Sequence, residues 1–167
     1  MNRNIIDEAY HFLGYKMRSI SEMREHLKRK GYEFDKIEEA ISELCDSGYL
    51  NDADYIVNYA SYSIEKGRGK RRILIELLQK GIDRQLAENV IEDYIYDNEI
   101  DEIERAARIA RMEFEKKYDS EISDKESIYK LKIKIMGKLD RLGFEYDAIR
   151  DAVGEMENWV NMKEQSI

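Results

Sequence analysis

Apolar residues recur along this chain at helical spacing. Ile6, Ala9, Tyr10, Leu13 and Met17 fall on one stripe, Ile37, Ala40, Ile41 and Leu44 on a second, and Leu86, Val90, Ile91 and Tyr94 on a third. Followed through the sequence, the pattern predicts nine helices, near 5–17, 21–30, 35–46, 53–65, 70–80, 84–97, 101–118, 127–142 and 147–161. One stretch has a competing period: residues 129–135 (YKLKIKI) alternate apolar and basic side chains as a half-buried strand does. Ile128, Leu131, Ile135, Leu139 and Leu142 also form one helical stripe, and helix is the expected state.

Superimposing Gly31, Gly81 and Gly143 exposes an internal repeat. Four residues before each stands Leu27, Leu77 or Leu139, and eight before stands Met23, Ile73 or Ile135. One residue after each is Tyr32, Ile82 or Phe144, then an acid, Glu33, Asp83 or Glu145. Further apolar columns follow: Ile37/Ala87/Ile149, Ala40/Val90/Ala152, Ile41/Ile91/Val153 and Leu44/Tyr94/Met156. The physical reading is a helix ended by a left-handed glycine, an apolar residue tucked back, and an acid near the next helix start. Each copy needs a preceding helix to cover its apolar face. The expected fold is therefore all-α, with three tandem three-helix repeats at 1–50, 51–100 and 101–167 forming an elongated curved array. Spacings of 50 and then 62 residues put an insertion in the third copy, assigned to the polar stretch 116–127 (KKYDSEISDKES).

Composition sharpens this picture. The 167 residues contain no proline, so glycine alone must break the helices. A single cysteine, Cys45, excludes an intrachain disulfide and suits a reducing compartment. The first residues (MNRNIIDEAYHF) do not read as a signal peptide and no run approaches a membrane span, so a cytoplasmic protein without a membrane partner is expected. His11 and His26 lie fifteen apart with no clustered ligands, and Gly67 and Gly69 match neither a P-loop nor a dinucleotide fingerprint. No enzymatic activity, cofactor, metal or small-molecule substrate is expected. His11 and His26 read as packing or surface residues, Cys45 as a buried, inert thiol, and Trp159 as packing that closes the last repeat.

The net charge of −8 argues against nucleic acid as a total, but the charges are segregated. Residues 92–104 carry seven acids and no base, whereas residues 66–72 carry five bases and no acid. Lys66, Arg68, Lys70, Arg71 and Arg72 thus form one candidate partner-binding cluster. Lys130, Lys134, Lys138 and Arg141 form another, opposite Ile135 and Leu139, with Arg105, Arg108 and Arg111 as a secondary row. Such rows suit a phosphate backbone or an acidic protein surface. An acid-rich third helix such as residues 35–43 would be repelled from a major groove.

Three ordered motifs carry a family resemblance. The run Gly48-Tyr49-Leu50-Asn51-Asp52-Ala53-Asp54-Tyr55 resembles the G-Y-L-[ND]-D-x-x-[FY] signature that joins the first two repeats of the RecX regulatory proteins. Residues 69–82 (GKRRILIELLQKGI) resemble their second signature, and 138–149 (KLDRLGFEYDAI) is similar to their closing segment, with Leu142 where a basic residue is common. The resemblance implies a modulator of the RecA recombinase in homologous recombination and DNA repair. It would bind the groove of the RecA filament on DNA and curb its recombinase, ATPase and coprotease activities; some such proteins also bind DNA alone, and the acid excess of this chain makes its expected binding to naked single- or double-stranded DNA weak. The alternative is a sequence-independent DNA-binding protein that affects RecA by competing for DNA. Within the first motif, Tyr49, Leu50 and Tyr55 are expected to pack, and Asn51 or Asp52 to cap the following helix.

Overall fold

The computed structural model describes residues 4–118 and 124–165, and all regular structure among them is helical. The helices are α1 (Ile5–Leu13), α2 (Ile20–Arg29), α3 (Phe34–Asp46), α4 (Asp52–Glu65), α5 (Lys70–Gln79), α6 (Arg84–Asp97), α7 (Glu102–Lys117), α8 (Lys125–Leu142), α9 (Tyr146–Gly154) and α10 (Met156–Glu164). Two boundaries correct the sequence reading. The first helix stops at Leu13 instead of running to 17, because Gly14 caps it and Ser19 starts α2 with a complete capping box to Glu22. Met17, placed on the first apolar stripe, is accordingly exposed. The expected helix 147–161 breaks after Gly154 into α9 and α10. Within the expected insertion, residues 119–123 lie outside the described residues, and Asp124 caps the start of α8.

The ambiguous YKLKIKI stretch is helical, within α8. Leu131, Ile135 and Leu139 are buried there while Ile133 is 49% exposed, so burial follows the 3.6-residue period and not alternation.

The three repeat glycines close three copies of one turn. At Gly31, Gly81 and Gly143 φ is +86°, +77° and +83°, a region that only glycine enters without strain. The following residue bonds back five positions in every copy, Tyr32 N to Leu27 O, Ile82 N to Leu77 O and Phe144 N to Leu139 O, at 3.2–3.3 Å. The glycine N–H itself reaches the carbonyl three back, completing the Schellman arrangement. Leu27, Leu77 and Leu139 are fully buried beneath these turns.

The chain divides into two compact units, Met1–Ser61 with Leu74–Tyr94, and Tyr62–Ile73 with Ile95–Ile167. The boundary passes within α4, α5 and α6. The first unit buries Ala9, Met23, Leu27, Ile37, Ile41, Leu44 and Leu50 in one cluster. The second buries Phe114, Leu131, Ile135, Leu139, Phe144, Ile149, Val153, Met156 and Trp159 in another. Trp159 rests against Phe114 with ring centroids 5.7 Å apart, the packing role expected of it.

Each unit contains the same junction. In the first, Ser19 Oγ donates to Lys80 O at 2.9 Å and Ile20 N donates to Asp52 Oδ1 at 2.9 Å. In the second, Gly69 N donates to Leu142 O at 2.8 Å and Lys70 N donates to Glu102 Oε1 at 2.8 Å. Ser19/Gly69, Ile20/Lys70 and Asp52/Glu102 each lie 50 residues apart, the spacing of Gly31 and Gly81. In both units, then, the residue before one helix donates to the carbonyl just before a repeat glycine, through a hydroxyl at Ser19 and a backbone N–H at Gly69, and the helix's first N–H is met by an acid opening another helix. Desolvation raises the carboxyl pKa of both Asp52 and Glu102 above their ordinary values.

Candidate partner-binding surface

All the basic residues singled out from the sequence fall in the second unit. Their surroundings sort them into two groups. Lys66, Arg108, Lys130, Lys134 and Arg141 are exposed, with the Lys66 ammonium 5.5 Å from the Tyr62 ring centroid and Lys130 paired along its own helix with Glu126. Arg111 is also exposed and pairs with Glu115 at 3.0 Å. These cations keep their charge at the surface, where they can meet an anionic partner.

The others hold the protein together. Arg71 donates through one nitrogen to Asp140 Oδ1 at 2.6 Å and Asp140 O at 2.9 Å, and Arg72 donates to Arg141 O at 3.2 Å. Their backbone runs against the Gly143 turn, with Arg71 N bonded to Gly143 O at 3.1 Å. Lys138 bridges to Glu113 at 2.6 Å, and that bond holds the Glu113 carboxyl below its ordinary pKa. Arg68 is half-buried and donates to Ser63 Oγ at 3.4 Å, while Lys70 opens α5 at the Glu102 junction.

Arg105 corrects the secondary row outright, being only 9% exposed. Its Nη2 donates to Ile64 O at 3.0 Å and Arg68 O at 2.8 Å, one carbonyl in the last turn of α4 and one in the loop that leads to α5. Nη1 reaches Glu102 at 3.4 Å, and the guanidinium carbon lies 5.4 Å from the Phe144 ring centroid. Burial lowers the guanidinium pKa and Glu102 partly restores it. The repeat register carried the signal: Arg105 lies 50 residues after Tyr55, which is 7% exposed.

In the first motif, Leu50 and Tyr55 are buried as expected, but Tyr49 is 58% exposed and meets Tyr10 edge-on at 5.0 Å. Asn51 Oδ1 accepts from Ala53 N and Asp54 N, so Asn51 caps α4 and frees Asp52 for the junction with Ile20. His26 is stacked on Phe12 at 3.8 Å and bonded to Glu8 at 2.8 Å, His11 is exposed beside Tyr15, and Cys45 is half-buried with its thiol pKa raised by desolvation. Among the described residues no helix is long and apolar enough to cross a membrane.

The triplicated glycine turn and the twice-built junction define an all-α protein of three-helix repeats. The family model described as RecX, first three-helix domain, matches residues 6–44, and that for RecX, second three-helix domain, matches 51–91. A "Regulatory protein RecX" of Bacillus velezensis is 32% identical over 157 residues, spanning 93% of this chain and 56% of the relative. One of Bacillus subtilis is 32% identical over 152 residues, spanning 90% of this chain and 54% of the relative. The crystal structure of RecX from Lactobacillus salivarius superposes with a TM-score of 0.76 at 25% identity, over 92% of this chain and 94% of that one. The chain belongs to the RecX family. It spans somewhat more than half the length of these curated relatives.

Proposed function

We propose that this chain regulates the RecA recombinase by binding the RecA filament on DNA and inhibiting or modulating its recombinase, ATPase and coprotease activities. The observation that carries the reading is the match of both three-helix domains to those of RecX regulatory proteins. On this reading 1–50, 51–100 and 101–167 are successive repeats of a cytoplasmic protein that works by association alone, without a cofactor. A ligand that binds one filament arrangement more tightly than another shifts the filament toward it, which is regulation by differential affinity. Lys66, Arg108, Lys130, Lys134 and Arg141 are the cations whose exposure suits them to the filament and its DNA.

The test is ATP hydrolysis by a RecA–single-stranded-DNA filament titrated with this protein. Inhibition is expected at stoichiometric ratios, weakened by Lys66→Glu with Lys134→Glu, which leave the Gly143 junction untouched. Arg71 and Arg72 are poor test positions, because reversing them would disturb the Asp140 and Arg141 contacts and confuse folding with binding. No inhibition at several-fold excess refutes the reading. Inhibition whose salt dependence matches that of binding to naked DNA supports competition for DNA instead.

A further inference from the structure

The third helices of the first and last repeats begin alike. Three residues after Gly31 and after Gly143 stand Phe34 and Tyr146, the first residues of α3 and α9, and both are 68% exposed. Each is flanked by exposed acids, Glu33 and Asp35 or Glu145 and Asp147. Glu33 and Glu145 occupy the N-cap, yet neither side chain caps its helix. The middle repeat follows the usual rule at the same register. Asp83 accepts from Leu86 N at 2.9 Å, and Arg84 replaces the aromatic and pairs with Glu88 at 3.3 Å. Two repeats therefore forgo a helix cap at the position where they expose a large aromatic ring, and local rules broken in this way mark functional positions.

The chemistry selects the occupant. Exposed aromatic rings are the residues that anchor protein interfaces, while Glu33, Asp35 and Glu145 beside them repel phosphate and attract a Lys- or Arg-lined rim; Asp147 is paired with Arg150 at 3.0 Å. The same element at two registers suits a partner that offers the same pocket more than once, as a polymer of identical subunits does. We propose that Phe34 and Tyr146 are paired anchors that enter basic-rimmed apolar pockets on protomers of the RecA filament. The occupant rests on the proposed function. The exposed cations of the second unit are then left to face nucleic acid.

The experiment measures cosedimentation with RecA–single-stranded-DNA filaments and, separately, binding to naked single-stranded DNA, for the wild type, Phe34→Ala, Tyr146→Ala and the double variant. Each single change is expected to weaken filament binding about tenfold and the double about a hundredfold, with melting temperature and naked-DNA affinity unchanged. Glu33→Ser with Glu145→Ser should raise the melting temperature by restoring caps while weakening filament binding, a pairing that a merely structural role would not produce. A wild type that binds while the double variant binds within about twofold of it overturns the anchors and leaves the regulator reading standing. A wild type that does not bind the filament refutes that reading and the anchors with it. A melting temperature lowered by Phe34→Ala or Tyr146→Ala would show the rings to be packing residues and likewise overturn the proposal.

Discussion

Three glycines separate two reasons for lacking a side chain, and alanine substitutions read them independently. Gly31 has φ +86° and a Cβ added there would meet nothing within 4 Å, so Gly31→Ala meets only the left-handed backbone penalty. That penalty is about 1–2 kcal/mol, reduced by roughly 0.4–1 kcal/mol through the stiffer unfolded chain. Gly69 has no positive φ, yet a Cβ there would press on Gly143 O and lie 2.5 Å from Phe144 N. These are backbone atoms that no rotamer change can move, so Gly69→Ala should cost about 1–3 kcal/mol as overpacking. Forcing the two segments apart further strains the Gly69 N to Leu142 O and Arg71 N to Gly143 O bonds, at about 0.5–1.5 kcal/mol each. Gly143 combines both conditions, with φ +83° and a Cβ that would collide with Arg72 Cβ and lie 2.5 Å from Arg72 N. Gly143→Ala should therefore cost about 3–6 kcal/mol, near the sum of the other two. The assay is urea unfolding followed by far-ultraviolet circular dichroism, with slopes compared so that midpoints convert to free energies. Equal losses for Gly31→Ala and Gly143→Ala, within about 1 kcal/mol, would refute the close-approach reasoning and leave backbone conformation as the whole effect.

Other expectations follow from buried groups. Arg105→Met removes the guanidinium's hydrogen bonds to the Ile64 and Arg68 carbonyls and takes the ion-pair partner from Glu102, and should destabilise by about 3–5 kcal/mol in the same unfolding assay. Adding Glu102→Gln should recover part of that loss, because it removes the uncompensated carboxylate. The Glu8 carboxyl is held below its ordinary value by hydrogen bonds from Lys30 and His26. Its stabilisation is thus present above the unfolded value of 4.5 and lost as pH falls through the lower folded value, so Glu8→Gln should remove part of the acid-side decline in urea midpoint. Leu77→Ala, at a fully buried position under the Gly81 turn, should cost about 2–5 kcal/mol by the same measurement.

The helices and the repeat were legible because both rest on patterns that a linear sequence displays, apolar periodicity and glycine register. YKLKIKI resolved as helix for the same reason, since Ile135 and Leu139 fell in columns shared with Met23 and Leu27 or Ile73 and Leu77. Charge was harder to read. A basic residue on a helix is ordinarily a solvated one, and nothing local distinguishes exposed Lys134 from Arg71, whose partner Asp140 lies 69 residues away. Arg105 failed as a surface residue because its partners are backbone carbonyls, which every sequence contains everywhere. Only alignment of the first helices, Asp52 with Glu102 and Tyr55 with Arg105, would have marked it as a core register.

That register also explains how the junctions diverge while keeping their geometry. The first presents Ser19, whose hydroxyl donates to Lys80 O; the second has Gly69, whose backbone N–H donates to the equivalent Leu142 O. Losing the side chain lets the second backbone approach closer, and the donor moves from Oγ to N with the acceptor unchanged. Tyr55 fills its site with an aromatic ring, whereas Arg105 fills the same register with a guanidinium that must be paired, and Glu102 is there to pair it where Asp52 accepts from Ile20 N. A longer acid and a buried cation are thus one coupled change. Swapping Arg105 alone for tyrosine should fail, and swapping Glu102 and Arg105 together for aspartate and tyrosine should be tolerated better than either single change, a coupling that a double-mutant cycle on unfolding free energy measures directly.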